Sequence, residues 1–400
     1  MKRRIVLLVT LLAHLTIIAQ QTIVSGVVRS AQTGSPMAQV SITAAGGGET
    51  VVTNDDGVFT LKSSLDLHTI VVSYVGYATQ RISVTGKPLD IRLRPVNVQL
   101  PEVVVWTSNP RELINAAISR ISKNYNQKPE LLNCFYRETA MKRQHYIQVA
   151  EGVVNMYKTA YDGYHMNDRV AIRKGRRLLS LKQSDTLGVK VIGGPVQPIQ
   201  LDVVKNREFL LNDEALANYK FQLLPSKMID DREQLVVAIT PQANVDYALY
   251  SGIFYIDRET LAFTRIELQL DMSDRDKATQ LMLIKKPLGV RFRPKELSCV
   301  IDYKCVDGIY RLSYIRSSFR FNCDWRRRLF ATSFAAICEL VVTGRAAEAT
   351  PIKGRQSFDS RDAFFDKVDY FRDPDFWRDY NIIEPSESLD QAIYKLLKQR

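Results

Sequence analysis

The chain has 400 residues, 46% of them hydrophobic and 24% charged, with a formal net charge of +12. That length allows two or three domains with sizeable cores, and that balance excludes a disordered chain. Basic charge invites a nucleic-acid reading, but the first residues point to export and argue against it. Lys2, Arg3 and Arg4 form a positive start, and Ile5 to Ala19 then runs nearly all apolar before Gln20, Gln21 and Thr22. As a helix this run reaches roughly 22 Å, short of a bilayer core of about 30 Å. It therefore reads as a secretory signal peptide over residues 1–20, with an uncleaved anchor as the alternative. No later stretch offers about 18 uninterrupted apolar residues, so no membrane-spanning helix is expected. The expected location is the periplasm or the periplasmic face of the outer membrane.

Residues 21–95 read as short strands between turns. Ile23 to Val28, Val40 to Ala44, Glu49 to Thr53, Val58 to Lys62, Ile70 to Val75 and Ile91 to Leu93 carry the β-pattern. Asn54-Asp55-Asp56-Gly57 joins two of them, and those residue types tolerate positive φ. The same four residues suggest calcium only weakly, because the closing bidentate acid of a calcium loop is missing. About seven short strands without a helical period imply a β-sandwich.

The strings V-S-G-V-V, T-G-S-P-M-A-Q-V-S-I, T-N-D-D-G-V-F-T-L and I-V-V-S-Y-V-G-Y-A occur in that order over residues 23–94. In this the segment resembles the carboxypeptidase-regulatory-like domain. The resemblance implies a transthyretin-like fold and an accessory module without catalytic residues of its own. Residues 96–108 follow as a linker. Within them Leu100-Pro101-Glu102-Val103-Val104-Val105 resembles the segment that follows this domain in TonB-dependent outer-membrane receptors. The rest of the chain is too short for a plug and a barrel of about 22 strands.

Residues 109–400 open with a helix. Asn109 can cap it, Pro110 suits its first position and Glu112 stands where a capping box needs an acid. Leu113, Ile114, Ala117, Ile118 and Ile121 make an apolar stripe of helical period. From Cys134 the pattern turns to β. Strands are expected over Phe135–Met141, Tyr146–Tyr157, Lys220–Leu224, Gln234–Ile239, Gly252–Ile256, Leu261–Leu270, Thr279–Ile284, Val290–Tyr303, Tyr310–Phe321 and Ala331–Thr343. Residues 173–217 are less regular and read as a long loop to which no chemistry is assigned. Thr264, Ile266, Leu268 and Leu270 alternate with Arg265, Glu267 and Gln269, which predicts one apolar and one wet face. An aromatic and acidic tail, with Phe364, Phe365, Tyr370, Phe371, Phe376, Trp377 and Tyr380, could fill the core or cover a groove. Ser388 is expected to cap a last helix that buries Leu389, Ile393, Leu396 and Leu397.

These elements predict a mainly β protein: a small transthyretin-like β-sandwich, then a larger α+β domain with a curved antiparallel sheet and flanking helices. The stretch Gly252 to Asp257 followed by Leu261 to Glu267 is similar to periplasmic lipoprotein-carrier proteins, which hold acyl chains in a half-open barrel. That resemblance implies an apolar concave face, on which Ile266, Leu268 and Leu270 would lie.

Chemical signatures are missing from the sequence. There is no G-x-S-x-G, no H-E-x-x-H, no C-x-x-C, no P-loop and no dinucleotide fingerprint. His68, His145 and His165 are the histidines beyond the signal run. Cys134 and His145 fall on neighbouring strands at best. Five cysteines, Cys134, Cys299, Cys305, Cys323 and Cys338, read as mostly buried thiols with one long-range bridge open. An Asp307-Gly308 turn would set Cys305 opposite Tyr310 and Cys299 opposite Arg316, so neither meets a cross-strand cysteine. The basic clusters Arg173, Lys174, Arg176, Arg177 and Arg326, Arg327, Arg328 read as solvated faces, or as contacts to anionic lipid or phosphorylated glycan at a membrane surface. No catalytic, cofactor-binding or metal-binding residue and no cofactor is assigned. The sequence reading is a non-catalytic binding or assembly protein for an envelope protein or an apolar ligand, with no nucleic-acid partner. The alternatives are a carboxylate-dependent hydrolase and an accessory of a TonB-dependent uptake complex.

Overall fold

Alternation builds the first strands. In β1 (Thr22–Ser30) every second residue from Val24 to Ser30 is buried, and β4 (Val58–Ser63) buries Phe59, Leu61 and Ser63 in the same way. A computed structural model of the chain describes residues 21–46, 48–96, 109–162, 168–182, 193–282, 289–325, 331–370 and 376–398. The signal run, the linker residues 97–108, His165 and the Arg326 to Arg328 cluster lie outside the described residues.

β1 pairs with β4 and, in parallel, with β7 (Leu89–Leu93). A second sheet runs β3 (Thr50–Val52), β2 (Ser41–Ala44), β5 (Thr69–Ser73) and β6 (Gln80–Ser83). The two sheets enclose Val28, Ile42, Phe59, Leu61, Ile70, Val72 and Leu93, as a sandwich requires. The expected strands are all present, and β6 joins them although its residues stay half-buried or exposed. Asn54 Oδ1 accepts from the Asp56 and Val58 N–H groups at 3.0 and 2.9 Å, and Gly57 takes a φ of 74°, so the predicted turn is an Asx-type turn.

Helix α1 (Pro110–Ser119) begins as predicted, with Asn109 Oδ1 accepting from the Arg111 N–H. It is followed by the single turn α2 (Ile121–Asn124). The larger sheet then takes β8 (Glu130–Lys142), β9 (His145–Lys158), β10 (Arg169–Leu179), β11 (Tyr219–Ile229), β12 (Arg232–Pro241), β13 (Tyr250–Asp257), β14 (Phe263–Leu270), β15 (Val290–Val306), β16 (Ile309–Trp325), β17 (Thr332–Arg345) and the two-residue β18 (Asp369–Tyr370). Its order is β11-β12-β13-β14-β15-β16-β17-β8-β9-β10-β18, eleven strands in all. Every neighbouring pair is antiparallel except β10 and β18.

Four expectations are corrected. Thr279 does not lie on a strand: Arg275–Met282 form α5, because Asp274 Oδ1 accepts from the Asp276 and Lys277 N–H groups and starts a helix. Residues 173–179 are not loop but belong to β10, whose basic side chains hid its alternation. A bulge at Asp302/Tyr303 shifts the hairpin register, so Cys305 does face Tyr310 but Cys299 faces Ser317 rather than Arg316. The last helix, α7 (Glu387–Lys398), is capped by Ser386, whose Oγ accepts from the Leu389 N–H; Ser388 lies inside it.

The two faces of the large sheet are covered differently. On one, the helix face, α1, α2, the turns α3 (Gln197–Gln200) and α4 (Asp213–Leu216), and Phe358 and Phe364 pack on Tyr136, Val154, Ile266, Leu268, Ile301 and Leu340. On the other lies the sandwich, through Val52, together with Phe376, Trp377 and Ile383 packed on Phe135, Val153, Tyr314 and Val341. β18 of the tail pairs with the β10 edge, with Phe364 on the helix face before it and Phe376 on the sandwich face after it. The single-turn α6 (Phe364–Lys367) sits on the helix face, and α7 rests on Val149 and Leu178 of the sandwich face.

Candidate functional site

Ile266, Leu268 and Leu270 are the residues that the sequence placed on an apolar face. The alternation holds, but all three are buried in the main core, at 0–2% exposure, beneath the chain's own helices. Of the opposite positions Gln269 is exposed as expected and Glu267 is half-buried, but Arg265 departs from the pattern. Arg265 is buried, with bonds to Asp302 at 2.9 and 3.0 Å and to Glu267 at 2.6 Å. It is dry because the sandwich sits over it.

That junction between sandwich and sheet is the candidate site. Lys304 of β15 reaches across and donates to the hydroxyls of Ser41 and Thr43, both at 2.9 Å. Its ammonium thus finds hydroxyl acceptors where two sheets meet. Lys62 of β4 donates to the Trp377 and Tyr380 carbonyls at 2.8 and 3.0 Å, and its backbone pairs with the Asn381 side chain. Asn54 donates to the Pro385 carbonyl at 2.9 Å, so the turn the sequence weighed as a calcium loop serves as a clasp on the tail. The Gly76 N–H bonds the Met228 carbonyl of β11 at 2.8 Å.

Three clefts open along this junction. One, lined by Tyr74, Asp230, Arg265, Asp302 and Lys304, has a volume of about 50 Å³. A second, beside Arg311 and Arg345, holds about 60 Å³, and a third, beside Asp55, Arg137 and Arg316, about 30 Å³. Sites for drug-sized ligands run to about 300–1,000 Å³; these three suit water or a single small ion.

Charged side chains tie the tail down as well. Glu151 accepts from Arg137 and Arg176, each at 2.7 Å, and from the Trp377 indole at 3.2 Å. Burial pushes the Glu151 carboxyl up, but the two guanidiniums override it and hold it below its ordinary value. Lys174 donates to the Phe376 carbonyl at 2.7 Å and Arg177 to the Phe365 carbonyl at 2.7 Å. Of the basic cluster read as a solvated face, only Arg173 is exposed; Lys174 and Arg177 bond tail carbonyls on opposite faces of the sheet, and Arg176 pairs with Glu151 and lies over the Trp377 ring.

The sequence analysis missed an ion cluster. Lys158, 3% exposed, lies 2.6 Å from Asp168 and 2.7 Å from Asp202, and Asp202 also accepts from the Tyr161 and Tyr303 hydroxyls at 2.9 and 2.6 Å. Burial pulls the Lys158 ammonium down, yet the two aspartates keep it above its usual value. The cluster pins the 193–211 segment to the sheet. Its partners are scattered along the chain, and an isolated lysine at the end of a strand gave no signal.

The remaining chemistry candidates separate. Cys134 is buried and pairs with Val154, whereas His145 is exposed and pairs with Lys142, roughly 30 Å along the same strand pair. Cys134, Cys299, Cys323 and Cys338 are buried free thiols, and Cys305 is an exposed one. Among the described residues no group of His, Cys, Asp and Glu is placed to hold a metal ion, and no helix is long and apolar enough to cross a membrane.

With the sandwich and its seat described, its family follows from the chain itself. Residues 24–105 match the family described as the CarboxypepD_reg-like domain. The resemblance carried by residues 23–94 is borne out, and this domain is the one clasped by Lys304 and the tail. Solved structures with a likeness include a DUF1329 family protein from Desulfovibrio piger, 12% identical, covering 59% of this chain and 94% of that one at a TM-score of 0.24. A LolA superfamily protein from Nitrosomonas europaea is 11% identical and covers 63% and 99% at a TM-score of 0.19. A protein of unknown function from Bacteroides fragilis, described as membrane-associated, is 9% identical and covers 82% and 99% at a TM-score of 0.16. At those scores the likeness carries no argument about what this chain does. No curated protein matches it.

Proposed function

We propose that this chain is a non-catalytic binding or assembly protein of the periplasm or the periplasmic face of the outer membrane. Its units are the signal peptide 1–20, the regulatory-like sandwich 21–95, the linker 96–108 and the sheet domain 109–400. It works through its outer surface, with a protein of the envelope as partner, and the sandwich serves as a fixed docking module. The observation that carries this reading is the filling of the helix face. The apolar residues that a lipid carrier would leave open to a ligand are covered by α1, α2 and the tail. The basic run before Ile5 supports the exported location.

Titration of the purified full chain with a fluorescent acyl probe tests it. The expected result is no saturable one-to-one site. Saturable binding displaced by lipid would move the assignment to an apolar-ligand carrier.

A further inference from the structure

One row of directly paired residues crosses the helix face: Ser317 on β16, Cys338 on β17, Glu138 on β8, Ala150 on β9 and Arg177 on β10. Neighbouring strands stand about 4.8 Å apart. Glu138 and Arg177 are therefore about 10 Å apart, two strand spacings, with the small side chain of Ala150 between them. The α6 turn occupies that gap. The Phe365 N–H is directed at the Glu138 carboxyl, and the Phe365 carbonyl accepts from Arg177 at 2.7 Å.

The seat around this peptide is shaped for it. Phe364 stands edge-on to Tyr136, with ring centroids 5.1 Å apart at 89°. It lies over Gly152, where an added Cβ would come within 2.7 Å of the ring, and against Gly194, where one would come within 2.7 Å of the Phe364 Cβ. The Arg177 guanidinium lies over the Phe365 ring at 4.9 Å.

Glu138 is 2% exposed. Its Oε2 accepts from the Tyr136 hydroxyl at 3.1 Å, the Gln148 side chain approaches the carboxyl, and Oε1 has no partner. The Ser317 side chain in the same row is directed at the Cys338 thiol. The titratable and charged groups facing Glu138 are Tyr136 on its own strand, Cys338 on β17, Asp366 on α6 and Arg177 on β10. Arg177 is the cation among them; its Nη1 is engaged by the Phe365 carbonyl and its Nε has no hydrogen-bond partner. A second carboxylate, Asp366, adds like charge from α6 itself.

We propose that α6 is a proton-controlled strap, seated on the helix face while Glu138 carries a proton and released when Glu138 ionises. A neutral carboxyl suits this dry row, because burial disfavours the charged form. An ionised one keeps the Tyr136, Phe365 and Gln148 donors, but burial outweighs them; it has no cation paired to it and faces Asp366, and lifting α6 admits the water it needs. Burial pushes the Glu138 carboxyl up to about 7, which sets the change in the neutral range. Release would expose the Gly152 notch and the Tyr136 ring, uncovering a surface that low pH keeps closed. This inference does not depend on the identity of the partner proposed above.

Hydrogen exchange of the full chain, corrected for the intrinsic pH dependence of exchange, tests it. Amides of residues 363–367 should open about tenfold more at a pH one unit above the Glu138 value than below it, with β15 and β16 unchanged. Glu138→Gln should hold the closed level at both pH values. Equal corrected protection in the wild type, or a rise that persists in Glu138→Gln, overturns the proposal. Should Glu138→Gln not fold, Asp366→Asn replaces it: removing the like charge must move the opening midpoint to lower pH, and an unmoved midpoint equally overturns it.

Discussion

Lys158 shows how much of this structure rests on single residues. Its ammonium sits between Asp168 and Asp202 with 3% of the side chain exposed. Breaking a buried pair by removing one partner costs about 3–5 kcal/mol, because the other charge is left uncompensated. Lys158→Met should therefore lower the unfolding free energy by about that amount, read as a shift of the urea midpoint at unchanged slope. Asp168 is pushed up by burial but held down overall by Lys158, so its contribution is present above its unfolded value, near pH 4, and fades as pH falls through the lower folded value. Glu138 has the opposite sign. Its folded value of about 7 lies above the unfolded one, so the folded state binds a proton that the unfolded state has lost, and stability falls as pH rises from about 4.5 to about 7. Glu138→Gln should flatten that decline in urea titrations across the same range. None of these groups could be named from the sequence. A buried ion cluster looks like ordinary polar residues until folding joins positions as far apart as 158 and 202.

At the scale of elements, most of the sheet was legible. Strict alternation in β1 and β4 marks strands wherever one face is dry. What could not be read were the departures from it. The bulge at Asp302/Tyr303 moves Cys299 by one partner, and nothing in the local residues marks it. β10 escaped because its basic residues look like solvated charge, whereas Lys174 and Arg177 bind tail carbonyls and Arg176 pairs with Glu151 and lies over the Trp377 ring. Helix α7 separates two neighbouring serines: Ser386→Ala should cost about 1 kcal/mol as a lost cap, while Ser388→Ala should cost less, both measured by thermal unfolding. Gly152→Ala places a Cβ 2.7 Å from the Phe364 ring and 3.1 Å from the Lys174 carbonyl oxygen. It should destabilise by about 1–3 kcal/mol as overpacking does, and it should raise exchange in residues 363–367 at every pH.

For the whole molecule, the decisive feature is that sandwich, sheet and tail share contacts. Val52 of the sandwich packs with Trp377 of the tail against Phe135 of the sheet. Lys304→Met removes the donor to Ser41 and Thr43 and should cost about 1–2 kcal/mol, with the first loss of exchange protection in β2 and β5. The sequence showed a sandwich and a sheet but not their union, because that union is made by residues far apart in the chain, such as Lys62 with Asn381. On the opposite face the chain's own helices bury the apolar stripe of β14, which leaves the outer surface as the place where a partner binds. Native mass spectrometry of the chain, purified gently from its own cells, is the measurement to make first. The account predicts a chain lacking roughly its first 20 residues, in a complex with another envelope protein and free of acyl species. A free chain carrying one lipid that is lost on delipidation would contradict it.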